Sequence, residues 1–296
     1  MFIEHLSIIG VGLIGGSLAR ALRKGKLVNR VTGCNRNEET LKKAVELNVI
    51  DDYSMNVEEA VKGADVIVIG TPLSVTEKLL PQIAKVLDKK TIVTDVGSAK
   101  SSVVKAARSA MGDDFPRFIP GHPIAGTEQS GVEASFAELF IDHRVILTPV
   151  AETDPAAHQF ITDMWKSVGA DVIDLGIEHH DQVLAATSHL PHMLAYALVD
   201  CLAGMEEREE IFKYAAGGFA DFTRIASSSP EMWHDICIAN REALLNTLSI
   251  FSEHIDQIKE AIEKEDSDRL LTIFKRAKQA RDKFTISRKQ LRTTKE

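Results

Sequence analysis

One histidine, His122, lies in a segment whose backbone is tightly restricted, PGHPIAGTE at residues 120–128. Two prolines and two glycines limit the conformations of the chain around this imidazole. Rigid placement of a titratable side chain beside a binding site is what general acid-base catalysis needs. His122 is therefore a candidate proton acceptor, and a histidine of ordinary pKa, about 6.5, has a neutral form available at pH 7. We expect the segment to be a loop.

A glycine-rich motif, GVGLIG at residues 10–15, follows an apolar run and opens a helical pattern. In this context Gly10 permits a tight turn, Gly12 lets the backbone approach a pyrophosphate, and Gly15 allows close packing of helix on strand. The phosphates would meet the free N–H groups at the start of the helix, around Leu13 and Ile14. The motif predicts a dinucleotide cofactor.

The choice of dinucleotide depends on the end of the second strand, where an acidic residue would bind the adenosine ribose of NAD. This chain has Asn35 followed by Arg36 at that point. The missing carboxylate and the adjacent guanidinium favour NADP over NAD, although Asn35 can also bond a ribose hydroxyl and Arg36 is equally compatible with a solvated surface position. Thr71 and Pro72 follow the third strand and either line the nicotinamide half of the site or form an ordinary strand exit.

Three further segments carry polar side chains that a core does not need. Ser98 in TDVGSAK is either a functional residue or simply the N-cap of the next helix. Arg224 in GGFADFTR suits a bidentate grip on a carboxylate, or an internal ion pair with Asp221. His189 and His192 in SHLPH have the spacing of a metal pair, with His179, His180 and Asp181 upstream, but no third ligand has a defined spacing, so we predict no metal.

The elements that must position these residues fall into two patterns. Short β-branched runs at residues 6–9, 31–34, 66–69, 92–94, 117–119, 145–147 and 172–173 alternate with helical segments. This alternation predicts an α/β fold, a doubly wound parallel sheet of the Rossmann type, over residues 1–175. Long amphipathic segments at 191–202, 231–262 and 266–290 then predict an all-helical domain over residues 176–296.

Composition limits the class of protein. The chain has 296 residues, 44% of them hydrophobic, and a formal net charge of −8, which gives no general attraction to nucleic acid or anionic membranes. Its three cysteines are widely separated and predict neither a disulfide framework nor a thiolate zinc site. Without an apolar run of about 20 residues or a leader-like start, we expect a cytoplasmic protein.

Several motifs in one order carry a family resemblance: GVGLIGGS, TDVGSAK, GHPIAGTEQSG, VILTP, SHLPH and GGFADFTRIA, followed by SPEMW. Together they resemble the prephenate dehydrogenase family, which includes arogenate and cyclohexadienyl dehydrogenases. The resemblance implies oxidative decarboxylation of prephenate to 4-hydroxyphenylpyruvate in tyrosine biosynthesis, with reduction of NAD or NADP. It also implies a homodimer formed through the helical domain.

The resemblance assigns roles by motif position. His122 matches the catalytic histidine, and Ser98 matches the serine that supports it. Arg224 matches an arginine that holds a substrate carboxylate, and His192 a histidine near the substrate side chain. Four positions are implied to line the pocket or its entrance: Thr127, Glu128, Gly217 and Trp233.

Other functions fit less well. Arogenate differs from prephenate only in an amine that replaces a keto group, so it stays an alternative substrate. A β-hydroxyacid dehydrogenase would need a catalytic lysine, which the segment 191–200 lacks. A hydrolase triad of Ser98, His122 and Asp95 has no nucleophile-elbow motif. A non-enzymatic dinucleotide sensor would not need a proton acceptor.

Overall fold

The computed structural model describes residues 1–127 and 129–293, with side chains up to residue 286. Two compact units are formed, Met1–Leu244 and Leu245–Glu296. The predicted cofactor and substrate positions all belong to the first unit. In the described part of the chain no helix has the length and hydrophobicity to cross a bilayer.

A six-stranded parallel sheet is the centre of the first unit. Its strands are β1 (Ile3–Ile9), β2 (Val28–Cys34), β3 (Asp52–Tyr53), β4 (Val66–Ile69), β5 (Ile92–Asp95) and β6 (Phe118–Ile119), in the order β3-β2-β1-β4-β5-β6. Adjacent residues such as Ile8 and Ile9 point into separate apolar clusters on the two faces, because side chains alternate along a strand. The strand order reverses between β1 and β4, where doubly wound folds bind their ligands. The predicted fold class is confirmed.

A second, three-stranded sheet holds His122. It consists of β7 (Gly121–Ile124), β8 (Arg144–Leu147) and β9 (Asp171–Asp174), with β7 antiparallel to β8 and β8 parallel to β9. The predicted loop at His122 is therefore wrong, because residues 121–124 pair with β8 and place His122 opposite Ile146. Pro123 is compatible with this strand because β7 lies at the sheet edge.

Helices cover both faces of the parallel sheet and make up the chain after β9. They are α1 (Leu13–Lys24), α2 (Glu38–Glu46), α3 (Val57–Val61), α4 (Leu73–Lys85), α5 (Ser101–Met111), α6 (Pro155–Ser167), α7 (Ile177–Leu184), α8 (Leu190–Ala203), α9 (Arg208–Lys213), α10 (Gly217–Thr223), α11 (Pro230–Ala239), α12 (Arg241–Glu263) and α13 (Ser267–Thr293). Short 3-10 segments span Gly112–Arg117 and Arg224–Ser227, and a π-helical turn, Ala185–His189, joins α7 to α8. The described residues after 175 contain no strand, as predicted.

The start of α5 differs from the N-cap interpretation of Ser98. The helix begins at Ser101, its cap position is Lys100, and neither residue's side chain caps it. Instead the Asp181 carboxylate, from α7, accepts hydrogen bonds from the backbone N–H groups of Lys100 (2.8 Å) and Ser101 (2.9 Å). A carboxylate at a helix N-terminus satisfies free N–H groups and the helix dipole, so the cap comes from 80 residues further along the chain.

The amphipathic segment predicted at 231–262 is interrupted at Asn240, which ends α11. The Asn240 side chain is buried and donates to the carbonyl of Asp181 (2.8 Å) and to Nδ1 of His189 (3.0 Å). The break in the helix therefore places an amide where it holds α7 and the π-helical turn together.

Candidate active site

The glycine-rich motif borders a cavity of about 830 Å³ at the carboxyl ends of β1, β2 and β4. Most of the predicted cofactor positions line it, namely Gly10, Gly12, Asn35, Arg36, Thr71 and Pro72. Leu13 and Ile14 form the first turn of α1, whose N–H groups are free to bind an anion.

The three glycines have separate physical roles. Gly10 has φ +90°, and a Cβ there would lie 2.6 Å from the carbonyl carbon of Gly70. A Cβ on Gly15 would lie 2.7 Å from Ile8 and 2.9 Å from the Gly10 carbonyl oxygen, so Gly15 allows α1 to pack on β1. A Cβ on Gly12 would meet nothing within 4 Å, so the backbone there is open to the cavity. Only Gly12 therefore leaves space for a ligand rather than for protein.

At the carboxyl end of β2, Arg36 is the one cation among the described residues that line the cavity. The Asn35 side-chain oxygen accepts from the Arg36 N–H (2.8 Å), which leaves the Asn35 amide group to donate. Arg36 is exposed and also borders a second cavity beside Glu231, and its charge helps lower the pKa of that carboxyl group. The Thr71 hydroxyl hydrogen-bonds Thr76 (2.9 Å).

A buried ion pair fixes the backbone next to His122. Lys100 is 0% exposed and Asp95 is 1% exposed, and the Lys100 ammonium donates to the Asp95 carboxylate and to the carbonyl of Gly121 (2.7 Å). Asp95 also accepts from the N–H groups of Gly97 (2.8 Å) and Gly121 (3.2 Å). The carboxyl end of β5, the first residue of β7 and the start of α5 are thereby joined. The hydrolase-triad hypothesis requires Asp95 to accept a hydrogen bond from His122, but the Asp95 carboxylate pairs with Lys100 instead.

His122 is almost completely buried and bonds to another histidine. Its Nδ1 lies 2.9 Å from Nε2 of His180, and Nδ1 of His180 lies 2.8 Å from Oδ1 of Asp181. Nε2 of His122 has no hydrogen-bond partner in the described residues, and it is not sealed from solvent. This nitrogen is therefore accessible to a ligand.

The electrostatic surroundings keep the His122 imidazole neutral. Burial, reinforced by the charges of His180, Lys100 and His189, holds the pKa of His122 well below the ordinary histidine value, and Asp181 opposes this shift. For Asp181, burial disfavours the anion, but the hydrogen bonds from His180, Ser101 and Lys100 outweigh it and lower the pKa to about 2. At neutral pH the site thus combines a neutral His122 imidazole with a fixed carboxylate.

A cluster of aromatic rings, formed by His189, His192 and Trp233, lies near the hydrogen bonds that link His122, His180 and Asp181. His192 on α8 stacks on Trp233 of α11 with ring centroids 3.7 Å apart, and His189 contacts the same indole edge-on at 6.1 Å. Burial lowers the pKa of His189 to about 4. Nε1 of Trp233 and Nε2 of His189 are buried and have no hydrogen-bond partner among the described residues. The Ser98 backbone lies near enough to His189 to raise its pKa, which opposes the larger effect of burial. Unlike Nε2 of His122, both nitrogens are sealed from solvent in this structure.

The other predicted substrate-site residues differ in their surroundings. Arg224 is exposed. Burial lowers the pKa of His192, and the charge of Arg224 adds to this shift, which places Arg224 near the His192 ring. The Ser98 hydroxyl makes no hydrogen bond to His122 among the described residues, and the Thr127 hydroxyl bonds only within its own turn, to Gln129. Gly217 begins α10 and is exposed, and Glu128 lies outside the described residues. No cluster of three or more potential metal ligands occurs in the described chain.

Four residues of this site have no role assigned from the sequence: Lys100, His180, Asp181 and Asn240. The adjacent His180 and Asp181 are a weak local signal, which the sequence analysis weighs only as an addition to a metal pair. Lys100 lies five residues from Asp95, and this opposite-charge spacing is the signal that could have found it. Asn240 carries no local signal, because its partners lie 51 and 59 residues away.

A doubly wound sheet with a glycine-rich cavity, joined to helices that hold a neutral imidazole at its carboxyl edge, defines a nucleotide-dependent dehydrogenase. Residues 18–174 match the family model described as prephenate dehydrogenase, nucleotide-binding domain, and residues 177–276 match its dimerization domain. The chain belongs to the prephenate dehydrogenase family, whose members are NAD-dependent oxidoreductases.

Relatives agree over nearly the whole chain. A cyclohexadienyl dehydrogenase of Zymomonas mobilis is 40% identical over 282 residues, which cover 94% of this chain and 95% of the relative. A prephenate dehydrogenase of Bacillus subtilis is 37% identical, covering 97% of this chain and 77% of the relative. The crystal structure of prephenate dehydrogenase from A. aeolicus in complex with hydroxyphenyl propionate and NAD+ has a TM-score of 0.89 and 36% identity, covering 96% of this chain and 99% of that one.

Proposed function

We propose that this chain oxidises and decarboxylates prephenate to 4-hydroxyphenylpyruvate, with His122 as the proton acceptor. The observation that carries the proposal is the free, accessible Nε2 of a buried and neutral imidazole at the carboxyl edge of the nucleotide-binding sheet. A neutral imidazole can take a proton at pH 7, whereas an imidazolium cannot.

The reaction needs little from the protein besides alignment and one base. A nicotinamide cofactor, when bound, accepts the hydride from the ring carbon that carries the hydroxyl. His122 Nε2 takes the hydroxyl proton, and the ring carboxylate leaves as carbon dioxide, whose bonding electron pair moves into the ring and gives an aromatic phenolate. The proton then returns to the phenolate oxygen, which gives the phenol product and restores neutral His122. Because aromatisation drives the sum downhill, correct positioning and proton acceptance provide most of the catalysis.

The nicotinamide cofactor is assigned to the cavity bordered by Gly10 and Gly12. The open backbone at Gly12 and the first turn of α1, with Leu13 and Ile14, support pyrophosphate binding there. NAD+ in the A. aeolicus relative supports a nicotinamide dinucleotide. Asn35 and Arg36 favour NADP, since a guanidinium can pair with a 2′-phosphate.

For the substrate, Arg224 binds a carboxylate, and His192 with Trp233 forms the wall beside the substrate side chain. The nearness of Arg224 to His192 and the stacking of His192 on Trp233 support this assignment. We assign Ser98 to assist His122 once substrate is bound and Thr127 and Gly217 to the pocket entrance, while Glu128 is outside the described residues. Hydroxyphenyl propionate, a phenol with a carboxylate side chain, is the ligand of the A. aeolicus relative and has the chemistry of the proposed product.

Arogenate is the second candidate substrate, since the Z. mobilis relative is a cyclohexadienyl dehydrogenase. The site would accept the amine of arogenate where prephenate has a keto group. Parallel assays with both compounds, each with NAD and with NADP, identify the substrate and cofactor used.

We also propose a homodimer, with the domain limits 1–175 and 176–296 predicted above, in the cytoplasm. The match to a dimerization domain supports the dimer. Large apolar side chains exposed on the helices of the first unit, including Phe212, Phe222 and Ile238, also support it. Light scattering coupled to size exclusion tests it, and a monomer at working enzyme concentration contradicts it.

The test of the proton acceptor is His122→Asn, assayed for cofactor reduction with prephenate. We expect turnover to fall by about 10²–10⁴, the usual contribution of general acid-base catalysis, with cofactor affinity unchanged. The matched control is His143→Asn, since His143 is exposed and bonds only the Ile141 carbonyl. Wild-type turnover in His122→Asn would refute the assignment.

A further inference from the structure

His180 is a completely buried, titratable side chain for which the proposed function has no use. It lies between His122 and Asp181, with ring nitrogens bonded on both sides (2.9 Å and 2.8 Å). The ring of His122 meets that of His180 edge-on, with centroids 5.1 Å apart. Three residues from β7 and α7 thus form one continuous line of hydrogen bonds.

The position of each proton in this line follows from Asp181. Its carboxylate is ionised above a pKa of about 2 and can only accept, so Nδ1 of His180 must carry the hydrogen. In neutral His180, Nε2 then has a lone pair and can only accept. Nδ1 of His122 must therefore donate to it, which leaves the lone pair of neutral His122 on Nε2.

We propose that His180 and Asp181 are positioning residues that fix His122 in the tautomer with a free Nε2 and that stabilise the positive charge formed when Nε2 accepts the substrate proton. The proposal rests on the proposed function, because it requires His122 to be the proton acceptor. In the reaction, the O–H bond of the substrate breaks and an N–H bond forms at Nε2. The charge of the resulting imidazolium is shared along the hydrogen bond to His180 and faces the Asp181 carboxylate.

The surrounding charges make Asp181 the balancing anion. From α5 and β5, Lys100 and Asp95 face the site as an ion pair, and from the π-helical turn His189 is neutral at pH 7. The other hydrogen-bond donors to Asp181, from Lys100 and Ser101, are backbone N–H groups and the Ser101 hydroxyl, which carry no full charge. A cation at His122 is therefore stabilised by the Asp181 carboxylate, which opposes the effect of Lys100 on it.

Two substitutions of His180 separate positioning from simple packing. His180→Gln keeps an acceptor toward His122 and a donor toward Asp181, and we expect kcat/KM within tenfold of wild type. His180→Leu keeps the volume but removes the acceptor, and we expect kcat to fall at least 100-fold with little change in KM. His143→Leu, at the exposed histidine, is the matched control. Equal activity of His180→Leu and wild type would overturn the proposal.

A spectroscopic measurement tests the tautomer without any variant of His180. In ¹⁵N-histidine-labelled wild-type protein at pH 7, two-bond nitrogen–proton correlation should show His122 with a protonated Nδ1 and an unprotonated Nε2, the signal being assigned by its loss in His122→Asn. A protonated Nε2 would overturn the proposal, even if His180→Leu does not fold.

The pH profile gives a third readout. Loss of the Asp181 charge lowers the pKa of His122, so His180→Gln in combination with Asp181→Asn should move the acidic limb of kcat/KM to lower pH than in His180→Gln alone. An unmoved limb counts against the charge role. If His122→Asn keeps wild-type turnover, the proposed function fails; if it loses turnover while His180→Leu does not, only the positioning role fails.

Discussion

Breaking the buried Lys100–Asp95 ion pair by removing one partner is expected to destabilise the fold strongly. Replacing Lys100 with methionine keeps an unbranched apolar side chain of similar length but leaves the Asp95 carboxylate, 1% exposed, with only two backbone N–H donors, from Gly97 and Gly121. It also removes the donor to the Gly121 carbonyl. Breaking one partner of a buried pair costs about 3–5 kcal/mol, because the remaining charge is uncompensated.

The assay is urea unfolding followed by circular dichroism, with the slope m compared between variants. At about 2–4 °C per kcal/mol for a unit of this size, the melting temperature should fall by roughly 6–20 °C. Lys105→Met is the matched control, since Lys105 is exposed on the same helix, and its effect should stay within about 0.5 kcal/mol. The double variant Asp95→Asn with Lys100→Met should recover much of the loss, because no unpaired charge is left. A Lys100→Met variant within about 1 kcal/mol of wild type would refute the reasoning.

Three further outcomes are expected. Arg36→Ala should weaken NADP binding by about tenfold or more relative to NAD binding, which is the value of a charge-assisted hydrogen bond. Fluorescence titration with each cofactor measures this. Equal effects on NAD and NADP would show that Arg36 does not bind the 2′-phosphate. Gly10→Ala should destabilise the fold by about 1–3 kcal/mol, because φ is +90° and the new Cβ would meet the Gly70 carbonyl. Gly12→Ala should keep the wild-type melting temperature and weaken cofactor binding. A stable Gly10→Ala together with a destabilised Gly12→Ala would contradict these roles. The pKa of His189 is about 4 in the folded protein and about 6.5 in the unfolded chain, so the unfolded chain binds a proton more readily. The free energy of unfolding should therefore fall by about 3 kcal/mol as the pH drops from 6.5 toward 4. Urea midpoints of wild type and His189→Asn between pH 7.5 and 4 test this, and parallel pH dependence would contradict it.

The parallel sheet and the cofactor cavity could be predicted from sequence because their signals are local. Apolar runs such as residues 66–69 are buried on both faces, and the glycines at 10, 12 and 15 lie within one turn. β7 could not be predicted in this way: four residues with a central proline have little strand propensity, and pairing with β8 decides their conformation.

The geometry around the proposed proton acceptor is also beyond local signals. The restricted backbone singles out His122, but its partner His180 lies 58 residues away, and the residues that hold Asp181 lie 59 to 81 residues from it. Of the two interpretations of Ser98, a functional residue or an N-cap, the structure rules out the N-cap, because a carboxylate from α7 occupies that role. Tertiary hydrogen bonds override local capping preferences when a stronger acceptor is brought to the same N–H groups.

Asp181 performs two tasks with one side chain, and they are physically connected. Its oxygens cap α5 and accept from His180, while its own carbonyl is held by Asn240. Because the α5 cap restrains the carboxylate, its charge stays aligned with His180 without further reorganisation when His122 is protonated. Backbone donors hold the carboxylate without neutralising it, so its full charge remains available to the imidazole pair.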